Sequence, residues 1–246
     1  MRRIFGLLAV LAIFGSTSLT AQESFEIEVY PYRTAHRGEW EVEGHVSYIS
    51  RGTTTASGSV APTDGQVRFA GEVTRGVTDH WEVSGYLLGA QVPDFGFEYA
   101  GWRLRSRLRA PEGWRLPVNV GLALEYETAK PTFSESARTF ELTAIFERRF
   151  GDLQLIADPT FERDLEGPEH EFEFEPKARA AVDVSKRLTL GMEYYGSLGE
   201  SSQTHQFYPT MDLRLPSDLS LHFGVGFGAT NTGDQLVFKS RIELEF

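Results

Sequence analysis

The sequence predicts an all-β fold: a closed, up-and-down antiparallel transmembrane β-barrel of about 12 strands with both termini periplasmic. Three observations carry that expectation. From Glu39 to Phe246 polar and apolar residues alternate with hardly an interruption, which is the period of a strand whose two faces meet different surroundings. The alternating segments are near the ~9–11 residues that a tilted strand uses to cross a bilayer. The connections between them are long and polar at odd positions and mostly tight at even ones, as loops and turns on opposite sides of a membrane are.

The strands follow in order. EWEVEGHVSY places Trp40, Val42, Val46 and Tyr48 on one face and Glu41, Glu43, His45 and Ser47 on the other. QVRFAGEVT sets Val67, Phe69 and Val73 against Gln66, Arg68, Glu72 and Thr74, and WEVSGYLLG comes next, after His80. The contrast is sharpest in WRLRSRLRA, where Trp102, Leu104 and Leu108 oppose Arg103, Arg105, Arg107 and Arg109. VNVGLALEYE sets Val118, Val120, Leu122, Leu124 and Tyr126 against Asn119, Glu125 and Glu127. The pattern continues through FELTAIFER, LQLIADPTFE, EFEFEPKARAAVDV, LTLGMEYYGSL, FYPTMDLRL, LSLHFGVGFG and LVFKSRIELEF. Odd connections read RGTTTASGSVAPTDG, AQVPDFG, TAKPTFSES, RDLEGPEH, GESSQTHQ and TNTGD; even ones read RGVTDH, FGD, SKR and PSD, with APEGWR the longest. Pro159, Pro176 and Pro209 fall inside predicted strands, where each removes a ladder hydrogen bond, so bulges or breaks are expected there.

Ahead of the barrel, residues 1–21 read as a cleaved signal peptide: two arginines, an apolar run from Ile4 to Phe14 and a small-residue region closing at Ala21. That run is well short of the ~20 residues a spanning helix needs. Residues 22–38 are expected to form a short periplasmic N-terminal segment and residues 39–246 the barrel. SFEIEVYPYRTAHRG also alternates, at Phe25, Ile27 and Val29, which leaves three readings open: a periplasmic tail, a segment folded into the lumen, or an extra strand. The absence of cysteine excludes disulfides, thiolate metal sites and a cysteine nucleophile. A net charge of -11 argues against a nucleic-acid partner, which needs an excess of Lys and Arg. No linker divides the chain, so one domain is expected.

Alternation alone also suits a soluble sandwich or lipocalin-like barrel. Here the polar face is too charged to be a core, so the apolar face is expected to meet lipid and the charged face to line a lumen. Trp40, Trp81 and Trp114 then fall near the periplasmic side, and Tyr48, Trp102 and Tyr126 near the outer side, as two aromatic girdles.

With its N-terminal signal, its lack of cysteine, amphipathic strands to the last residue and a terminal Phe246, the chain resembles bacterial outer-membrane β-barrel proteins. TRGVTDHWEVSG and SKRLTLGMEYYGSLG also look like units of proteobacterial barrel families described as porin-like or as transporters. The resemblance implies a place in the outer membrane, with its lipid and lipopolysaccharide as surroundings. It also implies that RIELEF is an assembly signal, Ile242, Leu244 and Phe246 facing lipid and Phe246 being sensed by the barrel-assembly machinery.

The charged face carries the functional question. Arg103, Arg105, Arg107 and Arg109 form a ladder on one strand, with Glu82 on the strand before and Glu125 and Glu127 on the strand after; Lys239 and Arg241 are among further charges of the same parity. Such a ladder can guide small polar or anionic solutes through a narrow, passive channel. It resembles the arginine tracks of small acidic-oligosaccharide porins. Equally, the arginines can pair with facing carboxylates and brace a closed lumen, giving a non-conducting structural or binding barrel. Catalysis is a third class: Ser220 with His222, and Ser47 with His45, share faces, but neither pair has an evident third partner for a lipid hydrolase. The six histidines lack the spacing of a zinc or copper site, and no cofactor motif is present, so no enzyme, metal or cofactor is expected.

Overall fold

The structure is a computed structural model that describes residues 25–166, 172–199 and 203–246. The predicted signal peptide lies outside the described residues. Twelve strands follow one another: β1 Trp40–Arg51, β2 Val67–Thr78, β3 Trp81–Val92, β4 Gly96–Arg109, β5 Asn119–Ala129, β6 Arg138–Phe150, β7 Leu153–Asp164, β8 Phe172–Asp183, β9 Leu188–Leu198, β10 Gln203–Arg214, β11 Leu219–Gly228 and β12 Leu236–Glu245. Each pairs antiparallel with its neighbours in sequence, and β12 pairs with β1, so the sheet closes into an up-and-down barrel without an edge. Backbone bonds in both directions between Trp40 and Phe246 complete the seam at its end. The final alternation of the chain is therefore a closing strand, registered on β1 from Val42 opposite Leu244 to Tyr48 opposite Phe238.

Period two decides what faces where. Glu41, Glu43, His45 and Ser47 are buried inside the ring while Trp40, Val42, Val46 and Tyr48 are exposed outside it. The same division holds on β4, where Leu104 is 55% exposed beside buried Arg103 and Arg105. Apolar side chains thus sheathe the outside and mostly polar ones line the inside, the inverse of a water-soluble barrel. Aromatic side chains mark both rims. At one rim Arg75 lies over the Trp40 ring at 4.7 Å and Trp81 donates to Ser106 Oγ at 3.0 Å. Toward the other, Tyr48 stacks on Phe238 at 6.3 Å and Trp102 lies tilted against Tyr126 at 5.6 Å.

The odd connections span 52–66, 93–95, 130–137, 165–171, 199–202 and 229–235, and the even ones 79–80, 110–118, 151–152, 184–187 and 215–218. The odd ones define what is here called the upper rim. The structure departs from the expected long loop at AQVPDFG: β3 and β4 run through most of it and leave a tight turn at 93–95. Asp94 and Gly96 adopt positive φ values of 65° and 89°, which closes the hairpin there.

The three strand prolines interrupt pairing on one side only. Pro159 and Pro176 face each other in the unbroken register of β7 with β8. On the far side of β7 the ladder with β6 skips from Thr160 to Ala157. Pro209 keeps its register with β9, opposite Met192, while the ladder with β11 skips from Phe207 to Thr210. A missing N–H costs one neighbour its bond and leaves the other ladder intact.

Candidate functional site: the lumen and the segment that fills it

Residues 25–38 run through the lumen, so of the three readings the second describes them. A thirteenth strand has no place, because β1 already has β2 and β12 on its two sides. Phe25 meets Phe133 of the β5–β6 connection at 5.8 Å, at the upper rim, and Arg33 pairs with Glu245 at 2.8 Å, at the lower. The first described residue therefore lies at the opposite end from Phe246, although β1 begins where β12 ends. At the segment's exit Gly38 donates to the Gly76 carbonyl at 2.9 Å. A Cβ on Gly76 would come within 1.8 Å of the His36 oxygen, which requires glycine at this crossing.

Wall side chains, not a neighbouring strand, satisfy much of the segment's backbone. Tyr30 N–H donates to Asp158 Oδ2 at 2.7 Å, Tyr32 N–H to Glu147 Oε2 at 3.0 Å and Ala35 N–H to Glu82 Oε2 at 2.6 Å. Lys239 Nζ donates to the Ile27 carbonyl at 2.8 Å. Its apolar residues are buried too: Ile27 and Val29 cluster with Ile49, Ile156, Tyr195, Tyr208 and Val237. These four contacts pair backbone groups of the segment in a place where water has little room.

The arginine ladder lies against this segment. Because alternate residues of a strand share a face, Arg103, Arg105, Arg107 and Arg109 of β4 all point inward. Arg103 pairs with Glu127 at 2.7 Å, with Glu125 at 3.3 Å and with Glu26 of the segment. Arg105 reaches Glu26 at 3.1 Å and also Glu72, and its guanidinium lies over the Tyr30 ring at 4.7 Å. Arg107 meets Glu82 at 2.7 Å, and Arg109 meets Glu112 in the turn after β4. Register explains two of these pairs, Glu127 standing opposite Arg103 and Glu82 opposite Arg107, while Glu125 stands opposite Arg105 and reaches diagonally to Arg103.

A second node sits across the lumen. Glu193 takes the Lys239 ammonium and lies 3.6 Å from Arg179 and 3.7 Å from His222. Asp212 accepts from Arg179 and is 2.6 Å from His222 Nδ1, while Arg241 holds Glu28 of the segment. The candidate catalytic pairs are absorbed by these networks. Ser220 Oγ donates to Glu243 at 3.1 Å rather than to His222, and His45 Nε2 lies 3.5 Å from Glu43 and 3.7 Å from Glu72. Ligand atoms of Glu26, His45 and Glu72 fall within 4.8 Å of one another, although widely spaced in sequence. Arg105, paired with both carboxylates, supplies the counter-charge there.

Two cavities flank the waist. One of about 620 Å³ reaches the lower rim and is lined by arginines, Arg105, Arg107 and Arg214 among them, and by about as many carboxylates, Glu41, Glu147 and Glu243 among them; one of about 240 Å³ lies near the upper rim, against Thr53, Ser57, Arg68 and Phe133. A small pocket of about 20 Å³ lies beside Ile27, Glu28 and Val29.

Reasoning from the sequence missed Glu26, Glu28 and Asp158 as members of these networks. The usable signal was the alternation of SFEIEVY itself, which places Glu26 and Glu28 on the face opposite Phe25, Ile27 and Val29.

No protein-family model matches the chain, and no curated protein matches it in sequence. Solved structures match in fold. The KdgM porin is similar with a TM-score of 0.61 and 10% identity, over 84% of this chain and 99% of that one. A second KdgM structure, "in complex with disordered oligogalacturonate", gives 0.58 at 10% identity over 84% and 99%. The NanC porin gives 0.54 at 8% identity over 83% of this chain and 97% of its own. Together with the closed twelve-stranded ring, these likenesses define the class: this is a β-barrel with the fold of outer-membrane porins.

Proposed function

We propose that the chain is an outer-membrane, porin-like passive channel for small polar or anionic solutes, with the lower rim and Phe246 on the periplasmic side. One observation supports it above the rest: Arg103, Arg105, Arg107 and Arg109 descend one wall of the lumen, and Arg105 and Arg107 line the large cavity at the lower rim. A track of guanidiniums bordering a space of that size can draw anions inward. No enzymatic role is proposed. The second reading, a non-conducting structural barrel, draws support from the filled waist and the paired arginines. Planar-bilayer conductance of the refolded protein under a salt gradient separates the two. Discrete steps with anion preference, weakened by Arg105→Ser with Arg107→Ser, support the channel; a folded, heat-modifiable protein without steps supports the structural barrel.

The same proposal gives Ile242, Leu244 and Phe246 to lipid and makes Phe246 the residue that the assembly machinery reads. Its ring is 67% exposed, and the residue joins the barrel through backbone bonds with Trp40 that alanine keeps. Phe246→Ala is expected to change the unfolding free energy by about 1 kcal/mol or less, yet to lower the assembled fraction in cells. Gel heat-modifiability of membrane fractions, set beside urea unfolding of the refolded variant, checks both halves.

A further inference from the structure

Glu26 differs from the other carboxylates on the ladder because the segment carries it, not the wall. Its oxygens face four donors: Arg103 Nη1, Arg105 Nη1 at 3.1 Å, Tyr86 Oη at 3.2 Å and Tyr30 Oη at 3.4 Å. Three of the four belong to the wall. The barrel itself therefore builds a carboxylate cradle, two guanidiniums and a phenol converging in a buried place.

We propose that the cradle of Arg103, Arg105 and Tyr86 is a binding site for the carboxylate of an acidic solute, and that Glu26 is an internal occupant which such a solute displaces, loosening the segment from the waist. The site rests on geometry, and only the passage that follows displacement rests on the channel reading.

Exchange of one carboxylate for another strands no charge. Arg103 keeps Glu125 and Glu127, Arg105 keeps Glu72, and the departing Glu26 regains water. Loss of Glu26 without replacement would leave both guanidiniums short of an acceptor, so a neutral solute has no comparable leverage. The approach is from the cavity of about 620 Å³, which Arg105, of the three cradle residues, lines. Arg241, which holds Glu28 by the same chemistry, borders that cavity as well, so a solute with several carboxylates gains more than one with a single group.

The chain has no cysteine, so one introduced thiol reports the segment alone. Val29 is 2% exposed in the waist. In the refolded full chain carrying Val29→Cys, labelling by a charged maleimide is timed with citrate, and with sulfate at equal ionic strength. Citrate is expected to speed labelling about tenfold, within reach of a minor state populated at the per cent level, and sulfate is not. Glu26→Gln, which leaves the wall's own pairs in place, is expected to speed labelling without citrate. Equal acceleration by both salts would reduce the effect to screening and overturn the proposal, as would a Glu26→Gln protein that labels at the parent rate. Conductance on the same proteins keeps the two readings apart. Citrate-driven labelling without current leaves the cradle standing and removes the channel; anion-selective current with labelling indifferent to citrate removes the cradle and leaves the channel.

Discussion

Arg105→Met is expected to lower the barrel's unfolding free energy by about 3–5 kcal/mol, the usual cost of removing one partner from a buried ion-pair network. Arg105 is 4% exposed and stands between Glu26 and Glu72, both buried. Methionine fills much of the same volume but cannot donate. Two carboxylates then share a water-poor place with His45 and without the guanidinium. The cost comes from what is stranded, not from the intrinsic worth of the pairs, and a second substitution exposes the difference. Adding Glu72→Gln should recover part of the loss, because one of the stranded charges is gone. Arg105→Lys should fall between, since it keeps the charge and loses the fork that reaches two acceptors at once. Urea unfolding of the refolded protein in lipid, followed by tryptophan fluorescence, reads all three. A midpoint unmoved by Arg105→Met would mean that the carboxylates reach water and that the ladder does not brace the lumen.

Leu104→Arg is expected to destabilise the barrel by about 2–4 kcal/mol in a bilayer, the range for an arginine on the lipid face near the midplane. Leu104 sits between two buried arginines in sequence and points the opposite way, 55% exposed, opposite Gly85 and Tyr126. Near the rim, Leu244→Arg should cost only about 0–1 kcal/mol, because a long side chain there reaches the interface. The contrast tests the surroundings of the outer face directly. Were that face wet, an exposed leucine could become arginine at almost no cost, and the two positions would behave alike.

How far the architecture was legible follows from the range of the interactions behind it. Alternation is local, since each residue's face is set by its parity. Twelve such runs, with polar connections at odd positions, therefore implied a ring whose inside is charged. Closure of that ring was legible as well, because a sheet whose outer face meets lipid has no water to satisfy an unpaired edge. The extent of the β3–β4 hairpin was not: AQVPDFG has a loop's composition, but Asp94 and Gly96 confine the turn to its centre.

The lumen shows the limit most clearly. Inward-facing Arg103, Arg105 and Arg107 could be named from their spacing, and so could the neighbours Glu82, Glu125 and Glu127, because strands adjacent in sequence are adjacent in an up-and-down barrel. Residues 25–38 could not be placed that way. A strand, a tail and a thread through the lumen can share one alternation, and only distant partners tell them apart: Tyr30 finds Asp158 128 positions away, and Lys239 finds Ile27 212 positions away. The sequence by itself determined the barrel, its charged interior and its apolar exterior, because these depend on parity and on pairing between neighbours. Only the tertiary structure decided that the interior is occupied by the chain's own N-terminal segment and that Glu26 holds Arg103 and Arg105 of the ladder, because ring closure creates the enclosed space in which those groups meet.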